Sequence, residues 1–378
     1  MINYFFKFKE YVLDKEFKHF EFHGNAKEYF RIWIVNIALT ILTFGIYSAW
    51  AKVRTNRYMY ANTYLNGSNF EYNADPVRIL IGRIIVFTFY ILFIIFGQHL
   101  MMFEVAAGIA ILAFLAMPWL IRQAVSFKLR NTSYRHVPFR YVGRTRDFYA
   151  FFLTHGLLNI FTLFLAFPFS YVRFKELVLR NSRYGQGEFD FKGKVQSVYE
   201  IYFSIIGWMM LVAIALGVVM ALLSGIALES SGVGLESIAS SGMLGDENAN
   251  AEDVAPMVTG LVSILMIFIY LPLIFGQKGL SDAYFSNYVR NHTSLETAPF
   301  RGDINIFKLA WISISNVFAI IFSLGLLYPW SQIRYLKYKL EHTSFSCQDY
   351  EQFESFGYEQ GTTVGEEMMD FFDIDIGL

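Results

Sequence analysis

Seven long apolar segments constrain this chain more than anything else in it. They run from Phe30 to Ala51, Val77 to Gly97, Val105 to Ile121, Phe148 to Val172, Val198 to Leu228, Val254 to Gly276 and Ile306 to Ile333. Most reach the ~20 residues with which a helix covers ~30 Å of hydrocarbon. Charged residues make up only 17% of the chain, against roughly a quarter in soluble domains. The segments therefore predict an all-α, multi-pass membrane protein of about seven helical segments. A net charge of −1 argues against nucleic acid as a partner. One cysteine, Cys347, rules out an intrachain disulfide framework and a Cys-based zinc cluster. The start, MINYFFKFKEYVLDKEFKHFEFHGN, has no uninterrupted apolar stretch of the kind a cleaved signal requires.

Charge sets the expected topology. None of the 31 Lys and Arg lies in 98–121 or 199–277, whereas RQAVSFKLRNTSYRHVPFRYVGRTR (122–146) is dense in them. Basic residues collect in cytoplasmic loops. The loop GQHLMMFE and the acidic loop 229–253 should therefore lie outside, and both termini should be cytoplasmic. The segments 30–51, 148–172 and 306–333 are basic at both ends, which conflicts with simple crossings. Either they re-enter on the same side, broken at TFGIYSAW, AFPFSYV and SLGLLYPW where Gly and Pro permit it, or they cross and break the charge rule locally. The expected division is a polytopic domain over 1–340, the external loop 229–253, and a last hairpin remnant with an acidic tail over 341–378.

A register runs through the chain. Thirteen residues after Ala49, Pro118, Pro168, Gly279 and Pro329 stand Asn62, Asn131, Asn181, His292 and His342, each followed by Thr or Ser. Eight residues further stand Phe70, Phe139, Phe189, Phe300 and Tyr350. FEFHG at 20–24 has the form of the alternating stretches FEY, FRYVG and FDFKG. The pattern predicts repeated units of membrane exit, amphipathic helix and β-hairpin, with the hairpins packed into one small cytoplasmic sheet. Asn66-Gly67 suits a type I′ turn. Trp50, Trp119 and Trp330 suit the headgroup region, and Arg54, Arg173 and Arg334 can snorkel to phosphates.

FHGNAKEYFRIWIVNIALTILTFGIYSAWAKVRTNRYMYANTYLNGSNFEYNADP resembles the YjgN-type family of bacterial inner-membrane proteins, a domain of unknown function. The core T-x-G-I-Y-S-x-W-A-K-V-R carries most of the likeness, with Ala49 where the family commonly has Pro. The resemblance implies a polytopic protein of the bacterial inner membrane. It brings no reaction, substrate or catalytic residues.

Chemical motifs are weak. His19 and His23 lack a third metal ligand, and no G-x-S-x-G, HExxH or phosphate-binding loop occurs. No catalytic residue, cofactor or metal is expected, and the chain reads as a non-enzyme. Polar residues inside apolar segments are the better lead: Asn36, Thr43, His155, Asn159, Thr162, Asn316 and Ser323. Thr43, Thr162 and Ser323 share a register, and they either line a polar path or satisfy carbonyls of their own helices. Arg83 reads as a snorkelling side chain. The expected role is organising lipid or partners through a basic, aromatic cytoplasmic face. The alternative is a transporter or channel-like protein with a polar path. Expected partners are membrane lipids, with a second copy or another protein at the acidic tail.

Overall fold

A computed structural model describes residues 17–230, 270 and 273–346. The acidic loop and the tail from Cys347, with Tyr350, lie outside the described residues. In chain order the elements are β1 (Lys18–Phe22), α1 (Ala26–Leu42), α2 (Ser48–Ala61), β2 (Thr63–Leu65), β3 (Ser68–Tyr72), α3 (Pro76–Ile94) and α4 (Phe103–Arg130). There follow β4 (Thr132–Tyr134), β5 (Val137–Tyr141), α5 (Thr145–Phe161), α6 (Phe167–Arg180), β6 (Ser182–Tyr184), β7 (Gly187–Phe191) and α7 (Val195–Ser230). The last are α8 (273–291), β8 (Thr293–Leu295), β9 (Ala298–Gly302), α9 (Ile306–Phe322), α10 (Tyr328–Glu341) and β10 (Thr343–Phe345).

The ten strands close into an antiparallel barrel in the order β1-β10-β9-β8-β7-β6-β5-β4-β3-β2. This overturns the all-α expectation. Strands of three and five residues are too short for a period-two signal to stand out beside apolar helices. Among the described residues, only Pro76–His99, Phe103–Arg130 and Val195–Val219 are long and apolar enough to cross a membrane, so about seven such helices is also corrected. The expected hairpins are present, but they form a closed barrel where one small sheet was anticipated.

The closing strand comes from the wrong end of the sequence. β10 has no following strand partner of its own within the described residues; it pairs instead with β1, Lys18 opposite Phe345 and His19 opposite Ser344. FEFHG is thus the missing half of the last hairpin. Phe20 takes the fifth aromatic position, opposite Leu65. Closure removes the unpaired edges that would otherwise invite association.

Five equivalent strand pairs fix where the helices leave. Phe22 lies opposite Thr63, Tyr72 opposite Thr132, Tyr141 opposite Ser182, Phe191 opposite Thr293, and Gly302 opposite Thr343. Each pair holds together the two ends of one helical excursion. All excursions therefore start and finish at one end of the barrel, and the tight turns at Asn66-Gly67, Arg135-His136, Gly185-Gln186 and Glu296-Thr297 lie at the other.

By contacts the chain divides into two compact parts. The first, 1–199, 285–304 and 328–378, contains the whole barrel. The second, 200–284 and 305–327, holds most of α7, the start of α8, and α9. Within the second part, α8 and α9 approach closely at Gly279. A Cβ there would lie 2.6 Å from Ser313 Oγ and 2.7 Å from Ala310 Cα, so no larger residue fits without movement.

Candidate functional site

The register read from the sequence is a capping device. Asn62, Asn131 and Asn181 donate from Nδ2 to Tyr58, Phe127 and Leu177 carbonyls at 2.8, 2.9 and 2.7 Å. His292 and His342 place Nδ1 2.8 and 2.9 Å from the Tyr288 and Tyr338 carbonyls. The next residue in each case, Thr63, Thr132, Ser182, Thr293 or Thr343, donates its hydroxyl to the carbonyl four residues back, at 2.6–2.9 Å. A helix end leaves its last carbonyls without partners. Here two successive side chains take them and deliver the chain straight into a strand.

Those hydroxyl-bearing residues face the barrel interior. Two residues further from the helices, Leu65, Tyr134, Tyr184, Leu295 and Phe345 are buried against Phe20, Phe70, Phe139, Phe189 and Phe300. Tyr134 and Tyr184 donate to the Leu65 and Tyr134 carbonyls at 2.7 and 3.0 Å. A cavity of about 430 Å³ lies along this interior, lined by the aromatic rings, the five hydroxyl-bearing residues and the last turns of the helices that feed the strands. Lys128 and Arg290 are the charged residues among its lining. The sequence reading missed this site. The signal was available as the Thr or Ser after each Asn or His, which placed five inward positions at one level.

The three segments basic at both ends are broken helices. The backbone reverses at Phe44-Gly45, Leu163-Phe164 and Leu324-Gly325, all with positive φ. Thr43, Thr162 and Ser323 brace these reversals. Thr43 Oγ1 donates to the Leu39 carbonyl at 2.8 Å and accepts from Tyr47 N at 2.9 Å. Thr162 does the same with Leu158 and Ala166 at 2.7 and 3.1 Å, and Ser323 with Ile320 and Leu327 at 3.2 and 3.0 Å. In the first pair Asn36 is buried and reaches across from α1 to the Ala51 carbonyl of α2 at 3.3 Å. In the second, Asn159 donates to Ser170 Oγ at 2.9 Å. His155 stacks between Phe151 and Phe169, with Nε2 buried and unbonded. Asn316 is buried in α9.

The other candidates sit at helix surfaces. Arg54 is exposed, and Trp50 packs beside Tyr47 and the buried Ala49–Val53 cluster. Trp119 is half-buried in α4 beside Pro118. Arg173 pairs with Glu176 at 2.7 Å and lies over Phe169. Arg334 lies over Trp330, 5.1 Å from its ring centre, and burial pulls its pKa down. Arg83 donates to Ser48 Oγ on α2 at 2.5 Å, so its guanidinium bridges two helices where snorkelling was expected. His23 stacks on Tyr64 and reaches Glu21 at 3.0 Å. Among the described residues, no three His, Cys, Asp or Glu converge as a metal set.

Three helices long and apolar enough to cross a membrane, among the described residues, mark a membrane protein. The chain matches the family described as bacterial protein of unknown function (DUF898) over residues 17–371, and it belongs to that family. It is 41% identical over 71 residues to inner membrane protein YjgN of Escherichia coli K12, covering 19% of this chain and 18% of the relative. It is 35% identical over 117 residues to inner membrane protein YjgN of Salmonella typhimurium LT2, covering 30% of each. These matches thus span under a third of the relatives' length. No solved structure matches the chain.

Proposed function

We propose that this chain is a multi-pass inner-membrane protein, built from five internal repeats, that binds membrane lipid without catalysing a reaction. On this reading the barrel and both termini are cytoplasmic, α3–α4 and α7–α8 belong to crossing hairpins, and the three broken pairs dip into the membrane and return. Several features support it. The basic stretches flank the barrel end of the helices. Phe44, Leu163 and Leu324, at the three reversals, are 99%, 85% and 94% exposed, and large apolar side chains in that state belong in lipid.

The observation that carries the lipid role is the 430 Å³ interior cavity. It falls within the roughly 300–1,000 Å³ of small-molecule sites and has their composition, apolar walls with a few placed polar groups. Lipid leaving the bilayer at the helix end would meet the hydroxyl ring and then the aromatic rings. The test is native mass spectrometry of protein released from membranes in mild detergent. A lipid adduct is expected on the unaltered chain and its loss in Leu340→Trp, which adds bulk to the lining. An equal adduct on a folded Leu340→Trp protein would reject the barrel as the binding place.

A further inference from the structure

The five equivalent positions two residues before the capping Asn or His are Tyr60, Leu129, Leu179, Arg290 and Leu340, and all five line the cavity. Four are uncharged and one is a guanidinium. The same copy departs from the others at a second place. The last residues of the second strands are Tyr72, Tyr141, Phe191 and Phe22, all buried aromatics, but β9 ends in Gly302. A Cβ at Gly302 would lie 3.1 Å from Arg290 Cδ and 3.0 Å from Asn287 Oδ1. The Arg290 stem therefore packs against a bare glycine where the other four copies carry an aromatic. Asn291 holds Gly302 by two bonds, Nδ2 to its carbonyl at 3.0 Å and Oδ1 from its N–H at 2.9 Å.

Among the described residues, Arg290 has no counter-ion. Its Nη1 is buried and makes no hydrogen bond. Burial pushes its pKa down to about 10, with no carboxylate opposing the shift, so it stays charged at neutral pH. An uncompensated buried charge is costly, and a planar guanidinium fork matches carboxylate and phosphate oxygens. An orphaned donor of that shape, inside an apolar cavity whose other polar lining is hydroxyls and Lys128, is half of an ion pair.

We infer that the barrel selects an amphiphile with a single anionic head, carboxylate or phosphate, held by Arg290 with its hydrocarbon chain among the aromatic rings. This rests on the lipid-binding reading above and names the ligand class. Ser286 lines the same cavity and would offer its hydroxyl to a remaining head oxygen.

The test uses the full chain in zwitterionic nanodiscs, following thermal stabilisation as oleate, dodecyl phosphate or the neutral methyl oleate is added, since a ligand that binds only the folded state raises its melting point. The unaltered chain is expected to respond to at least one anion at tenfold or more lower concentration than to methyl oleate. Whichever anion acts, oleate or dodecyl phosphate, identifies the head. In Arg290→Leu, which installs the residue of three other copies, the preference should collapse to within about twofold. Arg290→Lys should retain part of it, and is the second variant should the first fail to fold. Methyl oleate acting as strongly as both anions, or a preference that survives in Arg290→Leu, overturns the role of Arg290 while leaving the cavity reading intact. No stabilisation by any of the three overturns both.

Discussion

The α1–α2 pair and the α3–α4 pair leave the same barrel edge and return to it, yet they are built differently. α1 and α2 have 17 and 14 residues, and at 1.5 Å per residue α1 reaches only about 25 Å. Pro76–His99 and α4 have 24 and 28 residues, enough to cover ~30 Å of hydrocarbon with room to tilt. The short pair turns through two residues of positive φ braced by one hydroxyl. The long pair turns through a π-helical stretch, Ile95–His99, and Met101, where the loop carries no Lys or Arg. The length of each pair is therefore set at the reversal. The barrel ends of the two pairs are interchangeable, down to the capping side chains.

The largest effect should come from attacking what both pairs share. Phe189→Asp puts a carboxylate among the interior rings, and an unpaired buried charge costs several kcal/mol. Both kinds of pair should lose their anchor together, seen as loss of membrane abundance and of a monodisperse peak in detergent. Normal yield would mean that the barrel is not the common support.

Next come the reversals. Gly45 and Gly325 sit at φ of +91° and +90°, with open space where a Cβ would stand, so Val there suffers backbone strain alone. Each substitution should cost about 1–2 kcal/mol, read as a lowered melting temperature. Gly108→Ala, in the unbroken α4 with open space around it, should be neutral or stabilise slightly. Equal effects at the two places would erase the distinction between the pairs.

The hydroxyl braces should matter less. Thr43→Val and Thr162→Val each remove a bond to a turn, worth about 1 kcal/mol. Thr88 in α3 only back-bonds to the Ile84 carbonyl at 2.8 Å, and Thr88→Val should be nearly silent in the same melting assay. The smallest effects belong to the surface cations. Arg54→Lys and Arg334→Lys should stay within about 0.5 kcal/mol, because a Lys stem also reaches water or headgroups. A larger loss at Arg54 would mean that its guanidinium geometry is used.

Much of this contrast is legible in the sequence, through charge and register. The basic flanks of 30–51, 148–172 and 306–333 pointed to re-entry as one of two readings, and Gly45 and Gly325 lie at the breaks. The Asn or His followed by Thr or Ser marked five helix-to-strand junctions. What stayed hidden was closure, because β1 and β10 are separated by nearly the whole chain and each is half a hairpin. The barrel interior was hidden for the same reason. Leu65, Tyr134 and Phe345 look like isolated apolar residues in polar loops until the strands bring them to one level. Arg290 was invisible because a basic residue at a helix C-terminus is ordinary. Only its place beside Gly302, with its Nη1 buried and unbonded, makes it unusual.

The proposed topology has every helical excursion leaving one end of the barrel, with the four tight turns on the cytoplasmic side and the broken pairs returning to it. Labelling with a membrane-impermeant thiol reagent tests it, in intact cells on a Cys347→Ser background. A cysteine replacing Met102, in the α3–α4 loop, should be modified from outside. Cysteines replacing Gln186, at a barrel turn, and Thr55, past the first reversal, should react only after the membrane is opened. External modification of the Gln186 or Thr55 site, with the membrane intact, would contradict this topology.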